Sequence, residues 1–86
     1  MREITIDERD FDSPQQLMGW VRETLALPEW WGGSLPAFHD ALTDICEPTL
    51  ITVIRRDPTP DTWFDKATLV IVRSAMENEC LKARVK

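Results

Sequence analysis

A histidine and two aspartates lie close together in the middle of the chain, at His39, Asp40 and Asp44. An imidazole beside a carboxylate could act as a general base, whereas exposed carboxylates alone could pair with cationic groups of a partner. Neighbouring residues on a helix point about 100° apart, so His39 and Asp40 should not face each other as a catalytic dyad does. Because GxSxG, HExxH, P-loop and CxxC patterns are also absent, we predict no catalytic residues and no enzymatic activity.

The two aspartates fall on the polar side of a predicted helix. On a helical wheel Asp40 lies nearly opposite the centre of the apolar stripe, and Asp44 follows one turn later on the same side. The stripe consists of Leu35, Phe38, Leu42 and Ile45. Like charges four residues apart, the second near the negative end of the helix dipole, destabilise a helix slightly. Such a face either serves solubility, as exposed acids commonly do, or binds a partner.

The middle of the chain is one-sided in charge. No lysine or arginine occurs between Arg22 and Arg55, and the net charge of the whole chain is -5. The acids inside this stretch are Glu23, Glu29, Asp40, Asp44 and Glu47. A field of this sign attracts a cationic partner and repels polyanions, so we expect no direct binding of nucleic acid.

Two adjacent tryptophans precede the acidic helix in the segment Trp30-Trp31-Gly32-Gly33. The glycines indicate a tight turn. Indole rings are usually at least partly buried in a core, but two neighbours in a turn cannot readily bury both rings in the same direction. One ring should therefore lie near the surface, where an aromatic side chain is a good interface anchor.

Size and composition indicate one globular domain spanning residues 1–86, since 86 residues with 43% hydrophobic content suffice for a single small core. The N-terminal MREITIDERD has no apolar h-region and no apolar run approaches the roughly 20 residues of a membrane span. We expect a cytoplasmic protein without membrane contact. Cys46 and Cys80 should be reduced, buried thiols rather than a disulfide. Two cysteines and one histidine are too few for a zinc site, and we expect no metal or cofactor.

The first half of the chain predicts a strand followed by two helices. Alternation indicates a strand over Glu3–Asp7, and Ser13 should cap a helix that runs to about Leu25. The acidic helix should begin near Ser34 and be closed by Pro48.

The second half predicts strand, helix and strand. The β-branched run Leu50–Ile54 suits a central strand covered on both faces. A helix of about eighteen residues should follow, capped by Thr59 with Pro60 in its first position, although Thr68–Val72 would also suit a strand. Leu81–Lys86 should be an edge strand. The pattern βααβαβ predicts an α/β fold with a small three-stranded parallel sheet packed with helices.

The segment LALPEWWGGSLPAFHD, from Leu25 to Asp40, resembles the recognition segment of the barstar family of ribonuclease inhibitors. The shared positions are Leu25, Ala26, Leu27, Pro28, Glu29, Gly32, Leu35, Ala37, Asp40, Leu42 and Thr43. The resemblance implies a barstar-like fold with a three-stranded parallel sheet. It also implies that the acidic helix and aromatic loop plug the active site of a ribonuclease, with the Asp40 carboxylate at the position of a substrate phosphate.

By this resemblance the partner is a basic ribonuclease or RNase-type toxin, and the chain is a bacterial inhibitor or immunity protein that is monomeric when free. Trp30 is implied to be the exposed ring that stacks on the enzyme. The residues implied to bind the partner are Trp30, Gly32, Ser34, Leu35, His39, Asp40, Thr43 and Asp44.

The chain also departs from the family pattern. Pro36 stands where the inhibitor has an aspartate, and Ser74 where it has a glutamate on the long helix. The bond between Glu47 and Pro48 is implied to be cis. Pro36 and Ser74 favour one alternative, an adaptor of the same fold that binds a basic protein other than a nuclease. A separate alternative is an enzyme that uses His39 with Asp40 or Asp44.

Overall fold

A computed structural model describes all residues 1–86, in the predicted order βααβαβ. The elements are β1 (Arg2–Asp7), α1 (Pro14–Thr24), α2 (Leu35–Thr43), β2 (Thr49–Ile54), α3 (Trp63–Glu77) and β3 (Leu81–Val85). A single 3-10 turn, Glu8–Asp10, follows β1 and was not predicted. No helix is long and apolar enough to cross a bilayer.

The three strands form one parallel sheet in the order β1-β2-β3, which confirms the predicted architecture and the central place of β2. The register aligns Ile4 of β1 with Ile51 of β2, and Ile51 with Ala83 of β3. Parallel neighbours require crossover connections, which α1 with α2 and then α3 provide.

The helices cover only one face of this sheet. Ile51 and Val53 of β2 are buried in a single cluster of 13 apolar residues, whereas the alternating Leu50, Thr52 and Ile54 are only half-buried. The buried residues of β1 and β3 in this cluster belong to the same set of alternating positions, so one face carries the core. The prediction that β2 is covered on both faces is therefore wrong.

The cap of α1 is confirmed. The Ser13 hydroxyl accepts a hydrogen bond from the Gln16 backbone N–H at 3.3 Å, and Pro14 occupies the first turn. The Gln16 side chain accepts in return from the Asp12 backbone N–H at 2.7 Å. This reciprocal pairing fixes the start of the helix, which ends at Thr24, within one residue of the predicted position.

The start of α3 differs from the prediction. The helix is capped by Thr62, whose hydroxyl accepts from the Asp65 backbone N–H at 3.1 Å, and not by Thr59. Asp61 adopts a positive φ of 62°, which interrupts the helical path between Pro60 and Thr62. The helix is consequently 15 residues long, and it confirms that Thr68–Val72 is helical.

The segment between α2 and β2 corrects two further expectations. Both cysteines are free thiols, but neither is fully buried as expected. Cys46 is exposed because it lies in the turn beyond the last residues of α2, and Cys80 is half-buried. The Cys80 thiol donates to the Cys46 carbonyl at 3.1 Å. The Glu47–Pro48 bond is trans, so the implied cis bond is wrong; trans is the lower-energy isomer for most such bonds.

Candidate protein-binding site

The N-terminus of α2 is fixed by local hydrogen bonds. The Ser34 hydroxyl accepts from the Ala37 backbone N–H at 3.2 Å, and Pro36 in the first turn removes one N–H that would lack a helical partner. The Ser34 side chain therefore caps the helix in addition to any contact with a partner.

The two tryptophans differ in exposure, as expected. Trp31 is half-buried, and its indole Nε1 donates to the Ala37 carbonyl at 3.3 Å, which ties the loop to the first turn of α2. Trp30 is 83% exposed. The loop therefore presents the exposed Trp30 ring next to a residue, Trp31, that is anchored to α2.

The glycine pair has two different roles. Gly33 has a φ of 68°, and a Cβ on it would lie 3.0 Å from the Met18 Cβ of α1. Gly33 is thus needed both for its left-handed backbone and for close packing against α1. A Cβ on Gly32 would meet only open space, so the surface of Gly32 is accessible to a partner.

The carboxylates of α2 point outward. The Asp40 side chain is 82% exposed, and Asp44 is exposed at the C-terminal cap of the helix. The Asp44 backbone N–H donates to the Asp40 carbonyl at 3.1 Å, which places the two residues one turn apart. Neither carboxylate has a lysine or arginine nitrogen within 4.0 Å. The two charges are therefore available to cations of another molecule.

His39 lies closer to acidic groups than the sequence suggested. Its Nε2 contacts the Glu77 carboxylate of α3, and its Nδ1 is 3.8 Å from Asp40 Oδ1. The distance of 3.8 Å is too long for a hydrogen bond, so the two side chains do not form a hydrogen-bonded pair. The imidazole therefore links α2 to α3.

Thr43 and Leu35, the remaining predicted residues of α2, also make contacts within the protein. The Thr43 hydroxyl is within hydrogen-bond distance of the His39 carbonyl, at 3.0 Å, and of the Asp40 carbonyl, at 3.1 Å. Leu35 is 37% exposed, so it lies at the edge of the predicted apolar stripe rather than inside the core. Ile45, also assigned to the stripe, lies beyond the end of the helix.

Asn78 was not predicted to belong to the site. Its side-chain amide nitrogen, with two N–H groups, lies within hydrogen-bond distance of three carbonyls at or just beyond the end of α2, those of Leu42, Thr43 and Ile45, at 3.0, 3.3 and 2.9 Å. Its Oδ1 accepts from the Cys80 backbone N–H at 3.0 Å. Asn78 therefore fastens the C-terminus of α2 to the junction of α3 and β3. An asparagine after a helix is a common terminator, and no sequence signal indicates that it caps a different helix.

The α3 position at which the family resemblance implied a glutamate is not at the surface. Ser74 is fully buried, and its hydroxyl donates to the Val70 carbonyl at 2.8 Å. The acid that α3 does present beside α2 is Glu77, whose side chain is 57% exposed. The acidic surface next to α2 therefore includes one carboxylate that the family resemblance did not assign.

A second charged cluster lies at the carboxyl end of β1. The Asp7 carboxylate accepts two hydrogen bonds from Arg56, Nε to Oδ1 at 3.1 Å and Nη2 to Oδ2 at 2.8 Å. The Arg9 backbone N–H adds a third at 3.2 Å. Hydrogen bonding by Arg56, followed by that of Arg9, lowers the pKa of Asp7 from 3.8 to about 2, although partial burial opposes the shift.

Sequence comparisons relate this chain to known proteins. The sequence model of the family described as "Barstar (barnase inhibitor)" matches residues 1–82. A Bacillus subtilis (strain 168) protein named "Putative ribonuclease inhibitor YrdF" is 29% identical over 80 residues, covering 90% of this chain and 88% of that protein. The family match spans nearly the whole chain, and the three-stranded parallel sheet is the one that the family resemblance implied. This protein therefore belongs to the barstar family.

Proposed function

We propose that this protein inhibits a basic ribonuclease or RNase-type toxin by covering its active site with α2 and the loop before it. The contacts would come from Trp30, Gly32, Ser34, Leu35, His39, Asp40, Thr43 and Asp44. Inhibition would be steric and electrostatic, without a catalysed reaction, a metal or a cofactor. The family's description as barnase inhibitors supports this proposal.

The observation that carries the proposal is the presentation of Asp40. Its carboxylate is 82% exposed, has no lysine or arginine within 4.0 Å, and stands on a helix whose two ends are both held by side-chain caps. A ribonuclease binds phosphate with cationic side chains, which also make strong hydrogen bonds to a carboxylate. A carboxylate held by a capped helix can form these bonds with little loss of conformational entropy.

The charge around Asp40 supports the same partner. The stretch between Arg22 and Arg55 has no lysine or arginine, so no cation of this segment screens the helix. Such a field accelerates encounter with a basic protein and is weakened by salt. A polyanion such as RNA would be repelled, which is consistent with an inhibitor that binds the enzyme and not its substrate.

Trp30 supplies the apolar part of the proposed contact. A side chain that is 83% exposed in the free protein would bury a large aromatic surface against an enzyme. Residues of this type are enriched among those that dominate binding energy at interfaces. The half-buried Trp31 behind it would hold the loop during binding.

The test is a titration of barnase, together with ribonucleases and RNase toxins encoded near this gene, with measurement of RNA cleavage and affinity. We expect at least one enzyme to be inhibited stoichiometrically. Asp40→Ala should weaken that binding by about 2–3 kcal/mol, roughly 30- to 150-fold, because charged hydrogen bonds are lost. Asp12→Ala removes an exposed acid outside α2 and is the matched control. Failure of every enzyme to bind would contradict the proposal.

Pro36 supports a second candidate, a non-inhibitory adaptor that binds another basic protein. Its ring stands in the first turn of α2 at the place of a family aspartate, which reduces the charge offered to a nuclease. Recovery of only non-nuclease proteins by the wild-type chain, with loss of that binding in Asp40→Ala, would favour the adaptor.

A further inference from the structure

A groove between α2 and α3 adjoins the proposed inhibitory surface. It has a volume of about 550 Å³, and its apolar walls are formed by Leu35, Pro36, Val70 and Met76. Glu77 and His39 line the groove together with Arg73. Four residues of α3 in this groove were not part of the site expected from the sequence: Val70, Arg73, Met76 and Glu77.

The apolar walls are open to solvent in the free protein. Met76 is 83% exposed and Leu35 is 37% exposed, and Pro36 is exposed as well. Contiguous apolar surface rimmed by polar groups is typical of protein interfaces rather than of the remaining surface. Pro36 makes this part of α2 apolar.

The groove is continuous with the α2 face. Leu35 and His39 belong both to the groove and to the proposed contact, so an enzyme seated on Asp40 would also cover the groove. The Glu77 carboxylate, 57% exposed, would attract a cation of that enzyme, and the exposed Arg73 would attract an acid. The apolar walls next to the Glu77 carboxylate suit an apolar side chain flanked by a basic residue.

We infer that the α2–α3 groove is a specificity-determining part of the inhibitory interface. It takes an apolar side chain of the bound ribonuclease, with a basic residue of the same enzyme paired to Glu77. Pro36 and Met76 thereby select ribonucleases that are apolar at this contact. This inference rests on the proposed inhibition of a ribonuclease.

The first test uses the ribonuclease that binds most tightly in the panel described above. Met76→Ser should lower its affinity about tenfold, which is about 1.4 kcal/mol, because exposed apolar surface is lost from the interface. Val85→Ser is the matched control, since Val85 is 45% exposed on β3 and does not line the groove. Thermal unfolding of both variants checks that each remains folded.

The second test restores the family acid. Pro36→Asp should weaken binding of the tightest ribonuclease about tenfold, because a charge replaces part of the apolar wall. An aspartate in the first turn of α2 is compatible with the helix dipole.

The outcomes distinguish the groove from the inhibitory function. If Asp40→Ala loses affinity while Met76→Ser and Pro36→Asp do not, the groove inference is wrong and the inhibitory function stands. Strengthening of the tightest ribonuclease by Pro36→Asp would also overturn the inference. Absence of binding to any ribonuclease would remove the proposed function together with the inference.

Discussion

Asp7 and Asp40 are the same side chain in two opposite situations. Asp7 is buried at the end of β1 and holds Arg56 through two hydrogen bonds. Asp40 stands in solvent on α2, and no arginine or lysine approaches it. The Asp7 carboxylate is paired within the fold, whereas the Asp40 carboxylate has no lysine or arginine partner in the protein. An exposed acid becomes a candidate binding group when the structure shows that nothing inside the protein needs it.

The helix that carries Asp40 is held at its C-terminus by Asn78, a residue that follows α3. Removing this contact should give the largest change in stability. Asn78→Ala removes the donor to three carbonyls at the end of α2. We expect a loss of about 1–3 kcal/mol in the free energy of unfolding, the cost of leaving partly buried acceptors unpaired. Urea denaturation measures this change.

The matched variant Asn78→Asp keeps an acceptor for the Cys80 backbone N–H but has no amide donor. It should destabilise at least as much as Asn78→Ala, since a negative charge would then face the carbonyls of α2. Stability of Asn78→Ala within about 0.5 kcal/mol of wild type, the usual range for uncoupled surface changes, would show that α2 does not depend on this contact.

The loop before α2 offers a paired prediction. Gly33→Ala should cost about 1–2 kcal/mol of stability, because alanine is strained at a φ of 68° and its Cβ would lie 3.0 Å from Met18 Cβ. Gly32→Ala has open space and should cost little. Equal stability of the two variants in chemical denaturation would contradict the assigned roles of the glycines.

The Asp7 cluster predicts a pH dependence. The lowered pKa of Asp7, about 2 in the folded protein, means that its contribution to stability is present above about pH 4 and is lost as the pH falls toward 2. Asp7→Asn should therefore show a smaller loss of stability across this window than wild type. Urea midpoints at several pH values measure the difference, and Arg56→Met should flatten the profile in the same way.

The smallest expected effect is a gain. Asp44→Asn removes a negative charge from the C-terminal cap of α2, where the helix dipole is also negative, and one of two like charges a turn apart. Stability should rise by a few tenths of a kcal/mol, while affinity for the ribonuclease should fall. A loss of stability in thermal unfolding would show that Asp44 serves the fold, as Asp7 does.

Much of the fold follows from local signals. The Ser13 and Ser34 caps and the proline positions after them fix the starts of α1 and α2, and the alternation in β1 fixes its buried face. The start of α3 was predicted wrongly, because Thr59 followed by Pro60 and Asp61 has the local pattern of a helix start. The left-handed Asp61 decided in favour of Thr62. No local sequence signal shows that the helices cover only one face of the sheet, since this depends on where the helices pack.

The candidate site likewise contains features that the sequence predicts and features that it does not. Helical periodicity correctly placed Asp40 outward, and the packing of adjacent rings correctly required the tryptophans to differ in exposure. The contacts of α2 with Asn78 and Glu77 could not be predicted, because they join residues more than 30 positions apart. Long-range polar contacts leave no periodic pattern in a sequence.

The most direct test of α2 as the binding surface is a nuclear magnetic resonance titration of the isotope-labelled protein with the ribonuclease that binds it. We predict that backbone signals of residues 28–44 and the facing residues of α3 change on binding. Signals around Asp7 and Arg56 should remain in place. Changes confined to the Asp7 end of the sheet, with α2 unaffected, would contradict the assignment of α2 as the inhibitory surface.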